Sequence, residues 1–382
     1  MMIQVLNVIE EGKLGGPQVR MIAVAEGLKG SADTILVLPR DNSEPFRRFC
    51  EKRGVSYKQV LLSRITKERR VAIRYFFFSM FEVVGLIRFF GKSSAQIVHV
   101  SGGSWQFKGV IAGRLAGKKV LWHLNDTSMP GFIRALFKIL SPLADGYIFA
   151  SERSKEYYGG LVDTAKPQFV IPAPVDVSQF DPATESQDAE YDLARWPGKI
   201  VVGLVGNISR VKGLETFIRL AAEANRAADK LQFVVVGPVF TNQQKYYNSL
   251  CKLASELGVT NIEFVGGRED VRPLLKRFDI YVCSSNAESS PISVWEAMAM
   301  ELPIMSTDVG DVPLYVKEEE SGYIAPVGDH KTLAGFVCKL AADNALRERL
   351  GKSARARVSQ ELDIKVCVEK HLEAYRTVLS EN

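Results

Sequence analysis

Cysteine is scarce in this chain, and its positions argue against two classes of protein. The 382 residues contain five cysteines, an odd number, and none of them form a Cys-x-x-Cys pair. A disulfide framework and a cysteine-based zinc cluster are therefore disfavoured, and a reducing compartment is favoured. The chain opens on an apolar segment, Ile3 to Ile9, without a basic leader, so we expect no signal peptide and a cytoplasmic location.

Three other patterns are missing, and each absence argues against a class of activity. No Gly-x-Gly-x-x-Gly fingerprint occurs, which disfavours a nicotinamide-dependent oxidoreductase. No Asp-x-Asp occurs and the four histidines show no metal-ligand spacing, so we expect neither a metal ion nor a cofactor. No uninterrupted apolar run reaches about 20 residues, so no segment is expected to span a membrane.

Positive charge is concentrated in the first part of the chain. Residues 1–175 hold 25 of the 49 Lys and Arg but only 14 of the 44 Asp and Glu. Such an asymmetry indicates an anionic partner for this half. We expect that partner to be an anionic membrane surface, with the protein peripheral at its inner face, and we expect no nucleic acid.

One segment of the basic half, Lys67 to Lys92, combines aromatic residues with basic flanks. This composition is typical of a helix that lies in a lipid interface, although the same aromatics would also suit a helix packed on a sheet. Both interpretations stay open at this stage. The basic residues are Arg69, Arg70, Arg74, Arg88 and Lys92, and the aromatic residues are Tyr75, Phe76, Phe77, Phe78, Phe81, Phe89 and Phe90.

Strand and helix signals alternate along the chain in two blocks. This alternation predicts an α/β protein with two doubly wound, Rossmann-like domains of parallel strands. A polar, acidic stretch from Pro182 to Gly198 separates the blocks. We therefore place a first domain at 1–175, a linker at 176–198 and a second domain at 199–365. Predicted strands are Gln4 to Ile9, Thr34 to Leu38, Gln96 to Val100, Lys119 to Leu124, Gly146 to Ala150 and Phe169 to Ile171 in the first, and Ile200 to Val205, Phe233 to Val236, Ile262 to Val265, Asp279 to Cys283 and Ile304 to Ser306 in the second.

The stretch 283–300 carries two carboxylates, Glu288 and Glu296, with seven residues between them. Ser290 is a good N-cap and Pro291 suits the first helical position, so Glu288 is predicted in a loop after a strand and ahead of a helix. Backbone amides at that point favour a phosphate, and carboxylates accept hydrogen bonds from sugar hydroxyls. The pattern indicates a sugar-nucleotide site, although two glutamates at this spacing also arise by chance.

Two further candidates lie at the ends of predicted strands. Gly206 to Gly213 follows Val205 and carries Arg210 and Lys212, cations suited to a diphosphate; a solvated basic loop is the alternative. His123 ends the strand Lys119 to Leu124 and is a candidate for the site, whereas His99 is interpreted as a core residue. His330 and His371 lie in polar helical surroundings and are set aside.

These motifs together resemble the retaining, metal-independent glycosyltransferases of family 4, the group 1 transferases. The family has the GT-B architecture, two Rossmann-like domains facing across a cleft. The resemblance covers nearly the whole chain and is strongest over 198–330. It is carried by Glu288–Glu296 (E-x7-E), Gly206–Gly213 (G-R-x-x-x-x-K-G), Gly15–Gly16, Val170–Asp176 (V-I-P-N-G-V-D) and Ser321–Asp329.

The resemblance implies a role for each matching residue. His123, Glu288 and Lys212 would be catalytic, with His123 beside the transferred sugar, Glu288 on its hydroxyls and Lys212 on the donor diphosphate. Glu296 would contact the nucleotide ribose. The last helix, from about Val366 to residue 382, would cross back to the first domain. Donor-binding positions would be Gly15, Gly16, Asn207, Arg210, Lys212, Gly266, Arg268, Glu288, Ser289, Ser290 and Glu296.

The resemblance implies transfer of a sugar from a nucleotide-sugar donor to a hydroxyl of a glycan or lipid-linked acceptor, as in polysaccharide or glycolipid assembly. The chain departs from the family at several motif positions. Asn207 replaces the loop arginine, and Arg210 is a possible substitute for it. Ala173-Pro174 replaces the linker Asn-Gly, and Ser289 replaces a glycine. A sugar-nucleotide epimerase of similar fold and a non-catalytic nucleotide-sugar-binding subunit remain alternatives.

Overall fold

The computed structural model describes residues 2–63, 69–184 and 195–381; the side chains of residues 69–77 also lie outside the description. The chain divides into two compact units. Unit 1 comprises Met1–Ala173 and Ile364–Asn382, and unit 2 comprises Pro174–Asp363. Across the described residues, no helix combines the length and apolarity needed to cross a bilayer.

Unit 1 is built on one parallel sheet of seven strands. Its central strands are apolar on both faces, as expected for a sheet covered by helices on both sides. The sheet order is β3-β2-β1-β4-β5-β6-β7, so the direction of winding reverses between β1 and β4. The strands are β1 Ile3–Val8, β2 Ala32–Pro39, β3 Tyr57–Val60, β4 Ile97–Val100, β5 Lys119–Leu124, β6 Gly146–Phe149 and β7 Gln168–Val170.

Helices connect these strands and cover the sheet. Small residues permit the closest approach: a Cβ on Gly109 would lie 2.8 Å from the Val8 side chain, so this face of its helix lies directly on the strands. The helices are α1 Gly16–Gly27, α2 Glu44–Lys52, α3 Arg69–Lys92, α4 Phe107–Leu115, α5 Gly131–Leu140 and α6 Glu152–Tyr158.

The aromatic helix α3 has an inward face and an outward face. Phe90 and Leu86 are buried, and Glu82 turns inward to form an ion pair with the buried Lys108 of α4. Phe78 and Phe81 are 50% and 75% exposed. The described part of this segment is therefore partly core and partly surface, whereas Lys67 and the side chains of Arg69, Arg70, Arg74, Tyr75, Phe76 and Phe77 lie outside the description.

Unit 2 repeats the plan with six parallel strands in the order β10-β9-β8-β11-β12-β13. Winding reverses between β8 and β11. The strands are β8 Ile200–Val205, β9 Leu231–Val236, β10 Ile262–Gly266, β11 Ile280–Cys283, β12 Ile304–Thr307 and β13 Gly322–Ala325. The helices are α7 Leu214–Ala224, α8 Gln244–Glu256, α9 Arg272–Arg277, α10 Ile292–Ala299, α11 Val312–Tyr315, α12 His330–Ala342 and α13 Asn344–Glu361.

The last helix, α14 Ile364–Ser380, belongs to unit 1. Its residues Cys367, Ala374, Tyr375 and Val378 are buried in one cluster with Val5, Ile97, Leu121 and Ile148 from the sheet. The segment 176–198, expected to link the domains, is counted with unit 2 where it is described. There Arg355 of α13 donates to the carbonyl oxygen of Phe180 at 2.8 Å, which fastens this segment onto unit 2.

The prediction of two parallel α/β sheets is confirmed. Two strands were missed, β3 and β13. Strand β3 is a four-residue edge strand, Tyr-Lys-Gln-Val, whose polar composition resembles a loop. Helix α10 begins at Ile292 with Pro291 as its N-cap, one residue later than predicted, so Ser290 does not cap it.

Candidate functional site in unit 2

The candidate site lies where the winding of the unit 2 sheet reverses. In open parallel sheets, the loops after the two strands at this point diverge and leave a crevice in which ligands bind. Here the loops are 206–213 after β8 and 284–291 after β11. They contain Lys212 and Glu288, two of the residues predicted to be catalytic.

Lys212 and Glu288 form an ion pair. The Lys212 Nζ atom lies 2.7 Å from Glu288 Oε1, which also accepts a hydrogen bond from Ser285 Oγ at 2.8 Å. The side chains are only 20% and 14% exposed. Burial opposes the positive charge of Lys212, but the Glu288 carboxylate outweighs that effect and the pKa of Lys212 is raised. The lysine is therefore a permanent cation at neutral pH.

Hydrogen bonds to backbone carbonyl oxygens hold the two loops against each other. The Asn286 amide N–H donates to the Val211 carbonyl oxygen at 2.7 Å, and Ser284 Oγ donates to that of Lys212 at 3.0 Å. Gly213 has φ 59°, and a Cβ there would lie 1.9 Å from the Ser284 carbonyl oxygen. Only glycine permits both this conformation and this close approach. The position of Lys212 is thereby fixed relative to β11.

Ser289 and Ser290 lie between Glu288 and α10. The Ser289 carbonyl oxygen accepts the Asp311 amide N–H at 3.1 Å. Ser290 Oγ accepts a hydrogen bond from the indole of the buried Trp295 at 3.2 Å. Both serines are therefore held by neighbouring elements. Ser290 contacts α10 through the side chain of Trp295 and does not cap the N-terminus of that helix.

Glu296 lies in the second turn of α10 and is partly buried. Burial raises the pKa of its carboxyl group to about 8, and the Asp270 carboxylate adds to the effect. Among the residues that the structure describes, none forms a hydrogen bond or ion pair with the carboxyl group of Glu296. A carboxyl group in this state gains stability from hydroxyl donors, which a ribose would supply.

Arg210 does not join Lys212. Its guanidinium pairs with Glu215 at 3.5 Å and lies over the Tyr246 ring, 4.7 Å from the centroid. It is 78% exposed. Asn207 lies at the start of the same loop, beside Gly206. In this conformation Lys212 is the loop cation that faces Glu288, and the suggestion that Arg210 replaces the missing arginine finds no support in its contacts.

Gly266 and Arg268 lie at the end of β10, farther along the same sheet edge. Gly266 has φ 78°, and its carbonyl oxygen accepts the Gly237 amide N–H at 2.9 Å. Arg268 Nη1 donates to the Gly267 carbonyl oxygen at 2.7 Å. Gly266 therefore ends its strand and Arg268 lies in the loop that follows, at the sheet edge that also carries Lys212 and Glu288.

The remaining predicted residues belong to unit 1. Gly15 is the N-cap of α1 in an extended conformation, and Gly16 is the first residue of that helix. His123, near the end of β5, is fully buried. Its Nδ1 atom lies 3.2 Å from His99 Nε2, and its ring centroid lies 5.9 Å from that of His371.

Three residues beside the predicted ones were missed. Ser285 bonds Glu288, and Asp270 raises the pKa of Glu296. His371, set aside as a residue in polar surroundings, is buried next to His123. Ring nitrogens of His99, His123 and His371 lie within 4.8 Å of one another, although sequence spacing separates them widely. Ser285 could have been identified from the sequence, because it follows a buried strand and so lies at the carboxyl edge of the sheet.

Comparison with known proteins finds a family match within unit 2. Residues 189–357 match the family described as Glycosyl transferases group 1. The N-acetyl-alpha-D-glucosaminyl L-malate synthase of Bacillus anthracis is 27% identical over 180 residues, 47% of this chain and 45% of that protein. The lipopolysaccharide core biosynthesis mannosyltransferase LpcC of Rhizobium leguminosarum is 26% identical over 211 residues, 55% of this chain and 58% of that protein. The chain thus spans about half the length of these curated relatives.

Solved structures match over the whole chain. HepE of Anabaena in complex with UDP and glucose has a TM-score of 0.83 at 19% identity and covers 98% of this chain and 100% of that one. The sucrose-phosphate synthase of Thermosynechococcus elongatus has a TM-score of 0.81 at 18% identity, with 99% of each chain covered. These structures show the GT-B fold. Unit 2 therefore matches the group 1 glycosyltransferase family over residues 189–357, and the whole chain shares the GT-B fold of these structures.

Proposed function

We propose that the protein transfers a sugar from a nucleotide-sugar donor to an acceptor hydroxyl, with retention of configuration and without a metal ion. The observation that carries this proposal is the Lys212–Glu288 ion pair at the reversal point of the unit 2 sheet. A fixed cation there suits a diphosphate, and a carboxylate beside it suits the hydroxyls of the attached sugar.

The two partners of the ion pair would contact different parts of the donor when it binds. Lys212 would turn from Glu288 to the diphosphate and stabilise the negative charge that develops there as the sugar leaves. Glu288 would then accept hydrogen bonds from the sugar. Glu296 would accept hydrogen bonds from the ribose, which relieves the cost of burying its carboxyl group.

Retention follows if the acceptor attacks the face from which the diphosphate leaves. The bond from the anomeric carbon to the diphosphate oxygen breaks, and the bond to the acceptor oxygen forms on the same side. The acceptor proton passes to the departing diphosphate oxygen. No side-chain nucleophile is required, and Lys212 supplies positive charge at the leaving group.

The acceptor class is suggested by names among the relatives. One relative, from Campylobacter jejuni, is named N,N'-diacetylbacillosaminyl-diphospho-undecaprenol alpha-1,3-N-acetylgalactosaminyltransferase and is 25% identical over 251 residues. Others are named for lipopolysaccharide core biosynthesis. We infer a glycan or lipid-linked acceptor in polysaccharide or glycolipid assembly.

The function is tested by incubating the protein with UDP-, GDP-, ADP- and dTDP-sugars and a pool of bacterial glycolipid acceptors. Release of nucleoside diphosphate and transfer of labelled sugar are measured, and NMR of the product gives the anomeric configuration. We expect one donor to be consumed with its configuration retained. An inverted product would contradict the retaining mechanism, and tight donor binding without turnover would favour a non-catalytic subunit.

A membrane role is the finer part of the proposal. Helix α3 exposes Met80 and Phe81, 73% and 75% accessible, while its exposed Arg88 and Lys92 lie farther along the helix. Helix α5 likewise exposes Phe132 and Ile139, and the exposed Arg134 and Lys138 lie between them in the sequence. Apolar side chains mixed with cations suit an anionic lipid surface, which we propose as the occupant of this face.

Co-sedimentation with vesicles of phosphatidylglycerol in phosphatidylcholine tests the membrane role. We expect binding at low salt that weakens as salt rises. Phe81→Ser should reduce it, whereas Phe240→Ser, which alters a 51% exposed phenylalanine of unit 2, should not. Absence of binding at low salt, or equal losses in the two variants, would indicate a soluble acceptor or a different surface.

A further inference from the structure

A buried hydrogen-bond chain in unit 1 leads to His123. His99 of β4 lies between two partners: its Nδ1 atom is 2.9 Å from the Tyr375 hydroxyl of α14, and its Nε2 atom is 3.2 Å from His123 Nδ1. All three side chains are at most 1% exposed. His123 Nε2, at the far end of the chain, is buried and has no hydrogen-bond partner among the described residues.

Both imidazoles in this chain are neutral. Burial lowers the pKa of His99 and of His123 well below the ordinary value, and the positive charge of the buried Arg20 lowers both further. His371 also repels a proton on either ring. A neutral imidazole carries one N–H and one bare nitrogen, so each ring in the chain must donate on one side and accept on the other.

The hydrogen bonds therefore run in one of two directions. In the first, Tyr375 donates to His99 Nδ1, His99 Nε2–H donates to His123 Nδ1, and His123 carries its proton on Nε2. In the second, every bond is reversed and His123 Nε2 is bare. The second direction needs another acceptor for the Tyr375 hydroxyl, and among the described residues His99 is its one hydrogen-bond partner.

The first direction is favoured once a ligand meets His123. With an acceptor oxygen at His123 Nε2, every buried N–H and O–H group of the hydrogen-bond chain has a partner. In the reversed direction, the Tyr375 O–H always lacks an acceptor. A buried donor without a partner costs about 1–3 kcal/mol. Tyr375 lies on α14, near the end of the sequence. The hydrogen bond to His99 therefore joins residues that are 276 positions apart.

We propose that His99 and Tyr375 are positioning residues that hold His123 as the Nε2–H tautomer, a neutral donor to a substrate oxygen such as a sugar hydroxyl. This inference rests on the proposed function and on the catalytic role that the resemblance to family 4 glycosyltransferases implies for His123. It assigns His123 a donor role and excludes it as a general base, because its one bare nitrogen is already occupied by His99.

The rings themselves can be read by NMR of the full chain labelled with ¹⁵N at its four histidines. We expect a scalar coupling across the hydrogen bond between His99 Nε2 and His123 Nδ1 in the free protein. In the complex with the donor substrate, the His123 proton should lie on Nε2. A proton on His123 Nδ1, or on both of its nitrogens, in that complex would overturn the inference.

Kinetics test the positioning role. His99→Leu removes the donor to His123 and should lower kcat by roughly 3- to 10-fold, the effect of losing one hydrogen bond. His99→Gln restores turnover, because its amide accepts from Tyr375 and donates to His123. Tyr375→Phe should lower kcat, whereas Tyr147→Phe, which removes a buried hydroxyl bonded to the Ser141 carbonyl, should not.

The two proposals fail in different ways. Circular dichroism of each full-chain variant checks that unit 1 is folded, and the affinity for a nucleoside diphosphate checks unit 2; we expect both to be unchanged. A normal His99–His123 coupling in a wild-type protein that shows no turnover would contradict the proposed function. The hydrogen-bond chain would still be supported by that result. Equal kcat in wild type, His99→Leu and Tyr375→Phe, with turnover present, would overturn the positioning role.

Discussion

Lys212 and Glu288 neutralise each other in a setting that is mostly shielded from water, since their side chains are 20% and 14% exposed. Removing one partner of such a pair leaves the other charge poorly solvated. The same arrangement holds both groups ready for a ligand that carries negative charge next to hydroxyls. At the scale of single residues, the site therefore consists of a cation and a carboxylate that would bind different parts of a nucleotide sugar. Glu296 is a separate hydrogen-bond acceptor.

The two glutamates should respond differently to substitution by glutamine. Glu296→Gln removes the acceptor proposed for the ribose, so it should weaken binding of a free nucleoside diphosphate by roughly 10-fold, the scale of a hydrogen bond to a charged group. Glu288→Gln should spare that affinity and reduce turnover, because its proposed partner is the sugar. Calorimetry with the nucleoside diphosphate decides the matter, and equal losses of affinity would show that the two roles are wrongly divided.

The raised pKa of Glu296 couples nucleotide binding to pH. Ribose hydroxyls that donate to the carboxylate stabilise its charged form and lower its pKa from about 8. Below about 8, binding then releases a proton, so affinity should rise with pH, by at most about 10-fold per unit, and level off above about 8.

Calorimetry in buffers of different ionisation enthalpy counts the released proton. The glutamine variant is the control for titration of the phosphate groups, and its affinity should show only that dependence. The same proton release from wild type and Glu296→Gln would contradict the assignment of Glu296.

At the scale of elements, the 206–213 loop depends on one glycine. Gly213→Ala adds a Cβ 1.9 Å from the Ser284 carbonyl oxygen and forces alanine into φ 59°. We expect a loss of stability of about 2 kcal/mol or more and a displaced Lys212. Thermal unfolding and nucleotide affinity measure the two effects.

A matched variant separates this effect from the general cost of replacing glycine. Gly335→Ala lies in α12, where no atom is within 4 Å of the added Cβ, so the change should stabilise by about 0.5–1 kcal/mol. If Gly213→Ala unfolds at the same temperature as wild type, the close contact between the two loops is not required.

Local signals predicted the elements better than they predicted the contacts between them. The strands ahead of Gly206 and Ser284 are apolar runs, so both loops could be placed at strand ends from the sequence. The pairing of Lys212 with Glu288 joins residues 76 positions apart, and periodicity carries no information on such a contact. His371 was missed for the same reason: charged neighbours on α14 mask a face that is buried by the sheet of unit 1.

On the scale of the whole molecule, charge and chain path are both unevenly distributed. The basic residues 1–175 form most of unit 1, and the helix that completes its core comes from the other end of the chain. We propose a distinct task for each unit: unit 2 would bind the nucleotide, and unit 1 would supply His123 and meet an anionic surface. The strand pattern of either sheet does not show that α14 returns to unit 1, because tertiary contacts decide the path of the chain.

Turnover in the presence of a chelator tests the proposed metal-free mechanism. We predict that turnover persists in excess EDTA, because Lys212 supplies the positive charge at the diphosphate. The measurement compares initial rates in EDTA, Mg²⁺ and Mn²⁺ after exhaustive dialysis against chelator. Loss of turnover in EDTA that either cation restores would refute the metal-free mechanism.

The most direct test of the central claim is the rate of nucleoside diphosphate release by Lys212→Ala with the donor that wild type consumes. We predict a fall of roughly 10²–10³-fold, the effect of removing one charge-stabilising group, with the variant still folded. Lys245→Ala, at an exposed position in unit 2, should retain the wild-type rate. Near wild-type kcat and KM in Lys212→Ala would contradict the account.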